Sequence, residues 1–488
     1  MRARVSALVV FAALAAAAPL ALAQDAPLFT SDFPPEEFAA RRAKVMDAIG
    51  KDGLALVQGA GLQEGYTRFR QSNEFYYLCG VETPSAYLLI DGQSRRSTLY
   101  LPHRNERRER SDGKVLSAED AELVVKLTGI DAVAGLDLLG EQLARYGGSG
   151  ATRALFTPLA PAEGLSVSRS GPLQALGQAA ADPFDGRPSR EGALVRSLRD
   201  RFPWLEIRNL TPTLDAARLI KSPREITLIK RSSRLACLAL LEAMRSTEPG
   251  LYEHELDGIS RFVFYRHGAQ GEAYYSLVAS GENAWYPHYA AGKRRVQDGE
   301  MLLMDHAPDF GYYMSDITRM WPVNGRFSPE QRELYGFYLA TYRAILRAIR
   351  PGATKQAVME EAASEMDRIL AVTRFAKPTH EKAAKAFVAA YHEQAKRGGL
   401  GHWVGLSTHD VGQDAVLRPG MVFTIEPQFR VPEEKGYWRL EDLIVIGETK
   451  AEVVSQWLPM DIEAIEWVMR ETGILQRYPR DTGDQEPR

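Results

Sequence analysis

The hydrophobic positions in the first part of the chain switch repeatedly between helical and strand-like spacing. From Pro34 to Leu56 they recur first at helical spacing and then as an apolar run after Gly53, which predicts a helix followed by a strand. Short runs of aromatic and aliphatic residues predict further strands at 74–78, 86–90 and 98–101. Polar stretches predict surface loops at 104–114 and 183–190. We therefore expect residues 27–205 to form a mixed α/β domain.

The apolar pattern predicts a second, larger domain over residues 210–475. Near its start, Ser222 and Glu225 form a capping box around Pro223, which takes the first helical position. A hydrophobic stripe at helical spacing follows, so a long helix is expected near the start of this domain. The remaining residues, 476–488, are polar and are predicted to be a frayed tail.

The second domain contains a faint internal repeat. Pro249-Gly250 and Pro351-Gly352 each precede a predicted helix, and later in each half a glycine leads into an apolar strand that ends in a carboxylate. A second carboxylate follows on each returning segment, and Tyr312 and Tyr313 are predicted to begin the first return strand. Repeated units of this kind predict a pseudo-twofold domain with acidic groups at its centre, although coincidence is an alternative.

The first residues have the composition of a targeting segment. Arg2 and Arg4 precede the Ala-rich apolar stretch Val5–Leu22, and Ala21-Leu22-Ala23 forms a small-residue cleavage pattern. We expect a signal peptide over residues 1–23, with a retained membrane anchor as the alternative. No later segment approaches the roughly 20 apolar residues that a spanning helix needs. The expected product is a soluble exported protein, periplasmic or secreted.

Charge and cysteine content narrow the possible functions. The formal net charge of the 488-residue chain is −3, and its sequence contains no basic stripe with interleaved aromatic residues. We therefore expect no nucleic-acid partner. Cys79 and Cys237 lie in different predicted domains and in apolar surroundings. Two buried free thiols are expected rather than a disulfide.

Five side chains in the second domain are candidate metal ligands. Four carboxylates border apolar segments, and one imidazole lies between a glycine and a tryptophan. The five residues are Asp305, Asp316, His402, Glu426 and Glu441. Their four negative charges offset two divalent cations, and oxygen-rich ligation with one nitrogen suits Mn, Co, Zn or Fe. Each residue alone also has a plainer interpretation as a turn residue or a helix cap.

The predicted hairpins bring these ligands together. A strand that ends in a carboxylate, followed by a return strand with a second one, places both groups at one pair of cations. Two metals about 3.5–4 Å apart, bridged by water or hydroxide, generate a nucleophile at neutral pH and polarise a bound carbonyl. The sequence therefore indicates metal-assisted hydrolysis, with an amide as the natural substrate.

Several motifs resemble the pita-bread metallopeptidases, a group that includes methionine aminopeptidase, prolidase and aminopeptidase P. The motifs that contain candidate ligands are Ser315–Arg319, Gly401–Gly412 and Thr424–Pro427. Bacterial aminopeptidase P is the most similar member, through segments 70–77, 218–223, 280–283 and 322–325. The resemblance implies an α+β fold. It consists of a C-terminal pita-bread (creatinase/aminopeptidase-type) domain with pseudo-twofold α/β halves, preceded by a smaller α/β domain.

The resemblance implies a metal-binding role for each of the five candidate ligands. Asp305 should chelate one metal ion. Asp316 and Glu441 should bridge both ions. His402 and Glu426 should hold the second ion.

Three further residues are implied to act on the substrate. His288 matches a histidine near the scissile bond, and His409 matches one that assists the tetrahedral intermediate and the leaving amine. Arg439 matches an arginine in the active-site wall. The plainer interpretations are an aromatic loop for His288, a structural cap for His409 and a surface charge for Arg439.

Three positions depart from the aminopeptidase P pattern. His306 follows the first aspartate where a small residue is usual, Gly398 replaces a histidine, and Gln428 replaces a glycine. None of these changes removes a metal ligand. Because all three are expected to line or neighbour the substrate pocket, they bear on proline selectivity rather than on catalysis.

The resemblance thus implies an exported metallo-aminopeptidase that removes an N-terminal residue preceding proline. Its expected cofactors are two divalent ions, with Mn favoured and Co or Zn as alternatives. Its expected partners are peptides with proline at the second position and further copies of itself, as a dimer or tetramer. The alternatives are a prolidase restricted to dipeptides, an aminopeptidase with relaxed proline selectivity, and a non-catalytic binding protein or creatinase-like enzyme on the same fold.

Overall fold

The computed structural model describes residue 29 and residues 32–63, 65–149, 153–164, 168–478 and 480. The predicted signal peptide and residues 481–488 lie outside the described residues. Within the described part of the chain, no helix combines the length and apolarity needed to cross a membrane.

The N-terminal domain is built on one mixed six-stranded sheet, in the order β4-β3-β2-β1-β5-β6. Its strands are β1 (Gly53–Gln58), β2 (Tyr87–Asp91), β3 (Arg96–Leu101), β4 (Ala132–Gly135), β5 (Arg153–Thr157) and β6 (Leu205–Asn209). Its helices are α1 (Pro35–Ile49), α2 (Asn73–Cys79), α3 (Glu106–Asp112), α4 (Ala121–Thr128), α5 (Leu139–Arg145), α6 (Ser170–Ala181) and α7 (Arg190–Arg201). Strand β6 carries the sheet past residue 205, where the predicted domain ends.

Two secondary-structure predictions in this domain are wrong. The run 74–78, predicted as a strand, lies within helix α2, and every residue of that helix is buried. Because no face of α2 is exposed, the run shows no helical period, and Gly80 ends the helix with a φ of 69°. The charged stretch 104–114, predicted as a loop, contains helix α3, which is exposed and capped by the Asn105 side chain.

The C-terminal domain has two antiparallel three-stranded sheets, in the orders β11-β9-β8 and β12-β15-β16. Its strands are β7 (Gly271–Glu272), β8 (Leu277–Ser280), β9 (Met301–His306), β10 (Pro308–Asp309), β11 (Ile317–Pro322), β12 (Val422–Ile425), β13 (Phe429–Val431), β14 (Gly436–Trp438), β15 (Asp442–Ile446) and β16 (Ala451–Val453). Its helices are α8 (Thr211–Leu219), α9 (Pro223–Ser246), α10 (Glu253–Arg266), α11 (Pro329–Ala348), α12 (Lys355–Val372), α13 (Pro378–Ala395), α14 (Ile462–Val468) and α15 (Ile474–Arg477).

The two halves of this domain follow the predicted repeat. Helices α9 and α10 precede the first sheet, and α11 and α12 precede the second. The long helix α9 begins as predicted, because Ser222 and Glu225 form the expected capping box around Pro223. The two sheets meet where the backbones of Thr318 and Glu441 exchange hydrogen bonds of 3.1 and 3.3 Å.

Tyr312 and Tyr313 do not begin the return strand, as the sequence had predicted. Strand β11 starts only at Ile317, and Tyr312 lies in a turn with a φ of 71°. The Tyr312 ring stacks on Tyr76 of the N-terminal domain at 3.6 Å. Both tyrosines belong to a buried apolar cluster that the two domains share, so their aromatic character serves this junction.

Two smaller predictions concern the cysteines and the tail. Cys79 and Cys237 are buried and free, as expected. The polar tail begins inside α15, where Gln476 Nε2 donates a hydrogen bond of 3.0 Å to the Ser246 carbonyl. The first two residues of the predicted tail are therefore ordered rather than frayed.

Candidate metal centre and active site

The five candidate ligands lie at the junction of the two sheets. Asp305 is in β9, and Asp316 directly precedes β11. Glu426 directly follows β12, and Glu441 directly precedes β15, while His402 lies between α13 and β12. Because β9 pairs with β11 and β12 pairs with β15, each hairpin delivers two carboxylates to the same place.

The side chains of these residues converge at short distances. His402 Nε2 lies 3.4 Å from Asp316 Oδ2, 3.4 Å from Glu426 Oε1 and 3.6 Å from Glu441 Oε1. One oxygen each of Asp305, Asp316 and Glu441 also lie within 4.8 Å of one another. All five predicted ligands therefore contribute to one cluster.

The cluster lacks the positive charge that its burial requires. His402 Nε2 and Glu441 Oε1 are buried and make no hydrogen bond with any described residue, an arrangement that costs about 1–3 kcal/mol for each group. Divalent cations would satisfy both atoms and offset the carboxylates. Oxygen donors with one imidazole fit Mn, Co or Zn, so the residues present fit a pair of metal ions.

The pKa values of the ligands show the same imbalance. Burial, together with the charges of Glu441 and Asp305, raises the pKa of Asp316 well above its usual range. Burial and the charge of Glu426 raise the pKa of Glu441 to about 7. Burial favours a higher pKa for Glu426, but the adjacent His402 has the larger opposite effect. The pKa of Glu426 is therefore lowered.

Two residues that the sequence did not single out as site residues hold the ligands in place. The Tyr274 hydroxyl lies 2.6 Å from Asp305 Oδ1 and also contacts Asp316 Oδ1, so its single proton is available to either carboxylate. Burial and these carboxylates raise the pKa of Tyr274, so the phenol stays protonated and donates. Thr318 Oγ1 donates to Glu441 Oε2 at 2.8 Å. Thr318 stands in the motif around Asp316, whereas nothing in the local sequence distinguishes Tyr274.

Replacing Tyr274 with phenylalanine should lower the affinity for divalent metal by about 10- to 100-fold, as losses of hydrogen bonds to metal ligands commonly do. The ring remains, so only the hydroxyl that orients Asp305 and Asp316 is removed. Competition with a chromophoric chelator measures the change. Tyr275→Phe is the matched control, since no hydrogen bond from Tyr275 to a ligand is seen. Equal affinities for the two variants would contradict this role.

The three residues implied to act on the substrate surround this cluster. Arg439 Nη2 donates to Asp305 Oδ2 at 2.5 Å, and its Nη1 lies 3.6 Å from Glu426 Oε2. The His409 ring lies 3.9 Å from the His402 ring and is exposed to solvent. His288 is also exposed, and its charge helps to lower the pKa of His409 to about 4, after desolvation and the charge of His402.

His306 does not line the substrate pocket, which corrects one expectation. It is fully buried on the opposite side of β9 from Asp305, with its ring nitrogens 2.6 Å from Ser260 Oγ and 2.9 Å from the Ala236 carbonyl oxygen. Burial lowers its pKa to about 4. A small residue would leave these buried polar groups unpaired, so His306 serves the core rather than selectivity.

The other two unusual residues line two different cavities, of which one reaches the cluster. Gln428 and the ligand Glu426 both line a cavity of about 320 Å³ between α13 and the end of β12. Gly398 lines a second cavity that includes Trp403, and a Cβ atom at Gly398 would meet nothing closer than 3.7 Å. The space beside the candidate ligand Glu426 is therefore open, whereas the cavity at Gly398 is lined by none of the five candidate ligands.

Comparison with known proteins matches family models to two parts of the chain. The model of metallopeptidase family M24 matches residues 227–448, and that of the aminopeptidase P N-terminal domain matches residues 38–155. The Xaa-Pro aminopeptidase of Escherichia coli (strain K12) is 29% identical over 471 residues, covering 89% of this chain and 98% of that protein. The Haemophilus influenzae Xaa-Pro aminopeptidase is 27% identical over 460 residues, covering 90% and 99%.

Solved structures agree with the sequence comparison. Aminopeptidase P from E. coli with the inhibitor Pro-Leu has a TM-score of 0.72 and 26% identity, covering 92% of this chain and 100% of that chain. Proline aminopeptidase P II from Yersinia pestis has a TM-score of 0.71 and 27% identity, covering 90% and 100%.

The two-sheet domain and its matches define a hydrolase of the pita-bread metallopeptidase class, as the sequence had implied. Within that class, the chain pairs an M24 domain with an aminopeptidase P N-terminal domain, which makes it similar to aminopeptidase P, and it is a metallo-aminopeptidase. The predicted α+β fold class is confirmed.

Proposed function

We propose that this protein is an exported aminopeptidase that uses two metal ions to hydrolyse the N-terminal peptide bond preceding proline. The observation that carries the proposal is the buried, unpartnered His402 Nε2, which faces carboxylates of Asp316, Glu426 and Glu441 within 3.6 Å. Relatives of similar length named Xaa-Pro aminopeptidase support the substrate class.

The metal ions would be held by the five residues of the cluster. Asp305 would hold one ion, His402 and Glu426 would hold the other, and Asp316 and Glu441 would contribute to both. When bound, two such ions activate a water for attack and polarise the scissile carbonyl. We propose manganese as the native metal, because four of the five donors are hard carboxylates.

The protein's own side chains position the substrate and move protons. Hydrolysis releases the proline nitrogen as a secondary amine, which must gain a proton. His409 lies beside His402 at the solvent-exposed edge of the cluster, where its imidazole can carry that proton. Arg439 holds Asp305 through a buried ion pair of 2.5 Å, which fixes that carboxylate within the cluster.

Location and assembly complete the proposal. The pattern over residues 1–23, basic residues followed by an Ala-rich apolar stretch and a cleavage pattern, supports export to the periplasm or medium. We also propose a homo-oligomer, either a dimer or a tetramer, on the basis of the family resemblance alone.

A prolidase is the second candidate, and substrate length separates the two. We expect Ala-Pro-Ala to be cleaved with a kcat/KM at least about tenfold above that of Ala-Pro, because the cavity that Gln428 lines together with Glu426 leaves room beyond a dipeptide. A tenfold difference corresponds to about 1.4 kcal/mol of transition-state binding. Cleavage of Ala-Pro alone would overturn the aminopeptidase assignment. Equal cleavage of Ala-Ala-Ala would show relaxed proline selectivity.

A non-catalytic binding protein on the same fold is less well supported. Such a protein has no need of five metal-binding side chains in contact, and here none of the five is replaced. The same ligand set argues against a creatinase-like enzyme, which lacks the metals.

A further inference from the structure

Two sequence motifs that contain none of the candidate metal ligands contact the loop that includes His409. The loop runs from Gly405 to Asp410 and begins three residues after the candidate ligand His402. The first motif, residues 70–77, lies at the start of α2 in the N-terminal domain, and the second, residues 218–223, joins α8 to α9. Side chains of both motifs form hydrogen bonds or ion pairs with this loop.

The second motif encloses Asp410, the neighbour of His409. Arg218 Nη2 donates to Asp410 Oδ1 at 2.5 Å, and Lys221 Nζ donates to Asp410 Oδ2 at 3.0 Å. All three side chains are 0 or 1% exposed. Burial opposes the charge of Asp410, but Arg218 and Lys221 outweigh it and lower its pKa. Asp410 is therefore a buried carboxylate with both oxygens fixed.

Two carboxylates of the N-terminal domain also contact the Arg218 guanidinium. Arg218 Nη1 lies 3.3 Å from Glu74 and 3.3 Å from Glu163. Arg169 bridges the same two carboxylates at 2.9 and 3.2 Å. The position of Arg218, and through it that of Asp410, therefore depends on residues of the other domain.

The first motif holds the same loop by separate hydrogen bonds. Asn73 Nδ2 donates to Ser407 Oγ at 2.9 Å and to Glu163 Oε2 at 3.0 Å. Arg70 Nη2 donates to the Leu406 carbonyl at 3.2 Å. The loop is therefore held by hydrogen bonds at Leu406 and Ser407 on one side of His409 and at Asp410 on the other. His409 itself is exposed.

Backbone contacts also restrict the conformation of the loop. The Asp410 amide donates to the Trp403 carbonyl at 2.7 Å, which folds the loop back on the residue that follows His402. A Cβ atom at Gly405 would collide with Asp410 Oδ2. Ser168 of the N-terminal domain also pairs with the His409 backbone. Both the carboxylate and the backbone on either side of His409 are therefore fixed.

We propose that Asp410 is the positioning residue for His409, and that the N-terminal domain takes part in catalysis by holding Asp410 through Arg218. Buried ion pairs add little net stability, so a network of this size is better explained by the position it imposes. The inference rests on the proposed function, because it assigns His409 a role in proton transfer.

A double-mutant cycle tests the inference. Asp410→Asn keeps the side-chain volume and removes the charge. In the wild-type background we expect it to lower kcat for Ala-Pro-Ala by about 10- to 100-fold, with KM changed by less than about threefold. In the His409→Ala background the same change should cost less than about twofold, because its effect passes through His409. Equal losses in both backgrounds would overturn the inference.

Matched controls separate positioning from general destabilisation. Glu225→Gln removes another buried carboxylate at the domain junction, 3.6 Å from Arg41, and should leave kcat within about twofold of wild type. If Asp410→Asn does not fold, Asn73→Ala removes one hydrogen bond to the loop and takes its place in the same cycle.

A measurement without substrate distinguishes this inference from the proposed function. In the metal-free protein, amide hydrogen exchange over residues 405–411 should be faster in Asp410→Asn than in Glu225→Gln. Equal exchange in the two variants would refute the positioning role. A wild-type protein that cleaves no Xaa-Pro peptide, while this difference in exchange persists, would refute only the proposed function.

Discussion

Asp316→Asn is expected to lower kcat/KM for an Xaa-Pro tripeptide by about 1,000-fold or more. Asp316 lies 3.4 Å from His402 and within 4.8 Å of Asp305 and Glu441, so in the proposed two-metal site its charge would serve both metal positions. A metal acting as Lewis acid contributes several kcal/mol, and about 4 kcal/mol corresponds to the expected loss. Steady-state kinetics with saturating Mn²⁺ measures it.

The same variant should leave the metal-free fold intact. Neighbouring carboxylates and burial raise the pKa of Asp316, so removing its charge relieves repulsion and should not lower the midpoint of thermal unfolding. Glu272→Gln is a suitable control, because Glu272 pairs with Arg261 at 2.9 Å outside the cluster, and it should retain wild-type activity. Wild-type kcat/KM in Asp316→Asn would contradict the assigned role.

His409→Ala is expected to lower kcat by about 100- to 10,000-fold, the usual contribution of general acid–base catalysis. Its ring lies 3.9 Å from the His402 ring at a tilt of 35°, and the proposed ligand set is complete without it, so metal content should stay at the wild-type level. Pre-steady-state and steady-state kinetics on Ala-Pro-Ala measure the loss.

A distant histidine provides the control for this substitution. His392 is on the surface of α13, where it pairs with Asp367 at 3.0 Å, and its replacement by alanine should not change kcat. If His409→Ala loses metal together with activity, His409 is a ligand rather than a proton carrier, and its assignment here is wrong.

The elements that sequence reasoning placed correctly carry local signals. Helix α9 starts at a capping box, and β9 and β12 are apolar runs that begin near a glycine and end at or beside a carboxylate. The failures occur where tertiary contacts replace the local signal. Helix α2 is buried on every side and shows no period, and Tyr312 turns with a positive φ to pack against the other domain.

The candidate site was predictable to a similar degree. The five ligands follow from strand ends and motif resemblance, and the structure brings them together. The hydroxyl of Tyr274 and the buried pocket of His306 were not predictable, because their partners are set by three-dimensional packing. The contacts between Arg218 and Asp410 join residues that are far apart in the chain, and no local pattern links them.

Metal content measured together with activity tests the central claim most directly. Purified metal-free protein should regain hydrolysis of Ala-Pro-Ala in proportion to added Mn²⁺ and reach a plateau at two ions per chain. Asp316→Asn should bind fewer ions and stay inactive throughout the titration. Full activity in the wild-type protein without any divalent metal, confirmed by elemental analysis, would contradict the account.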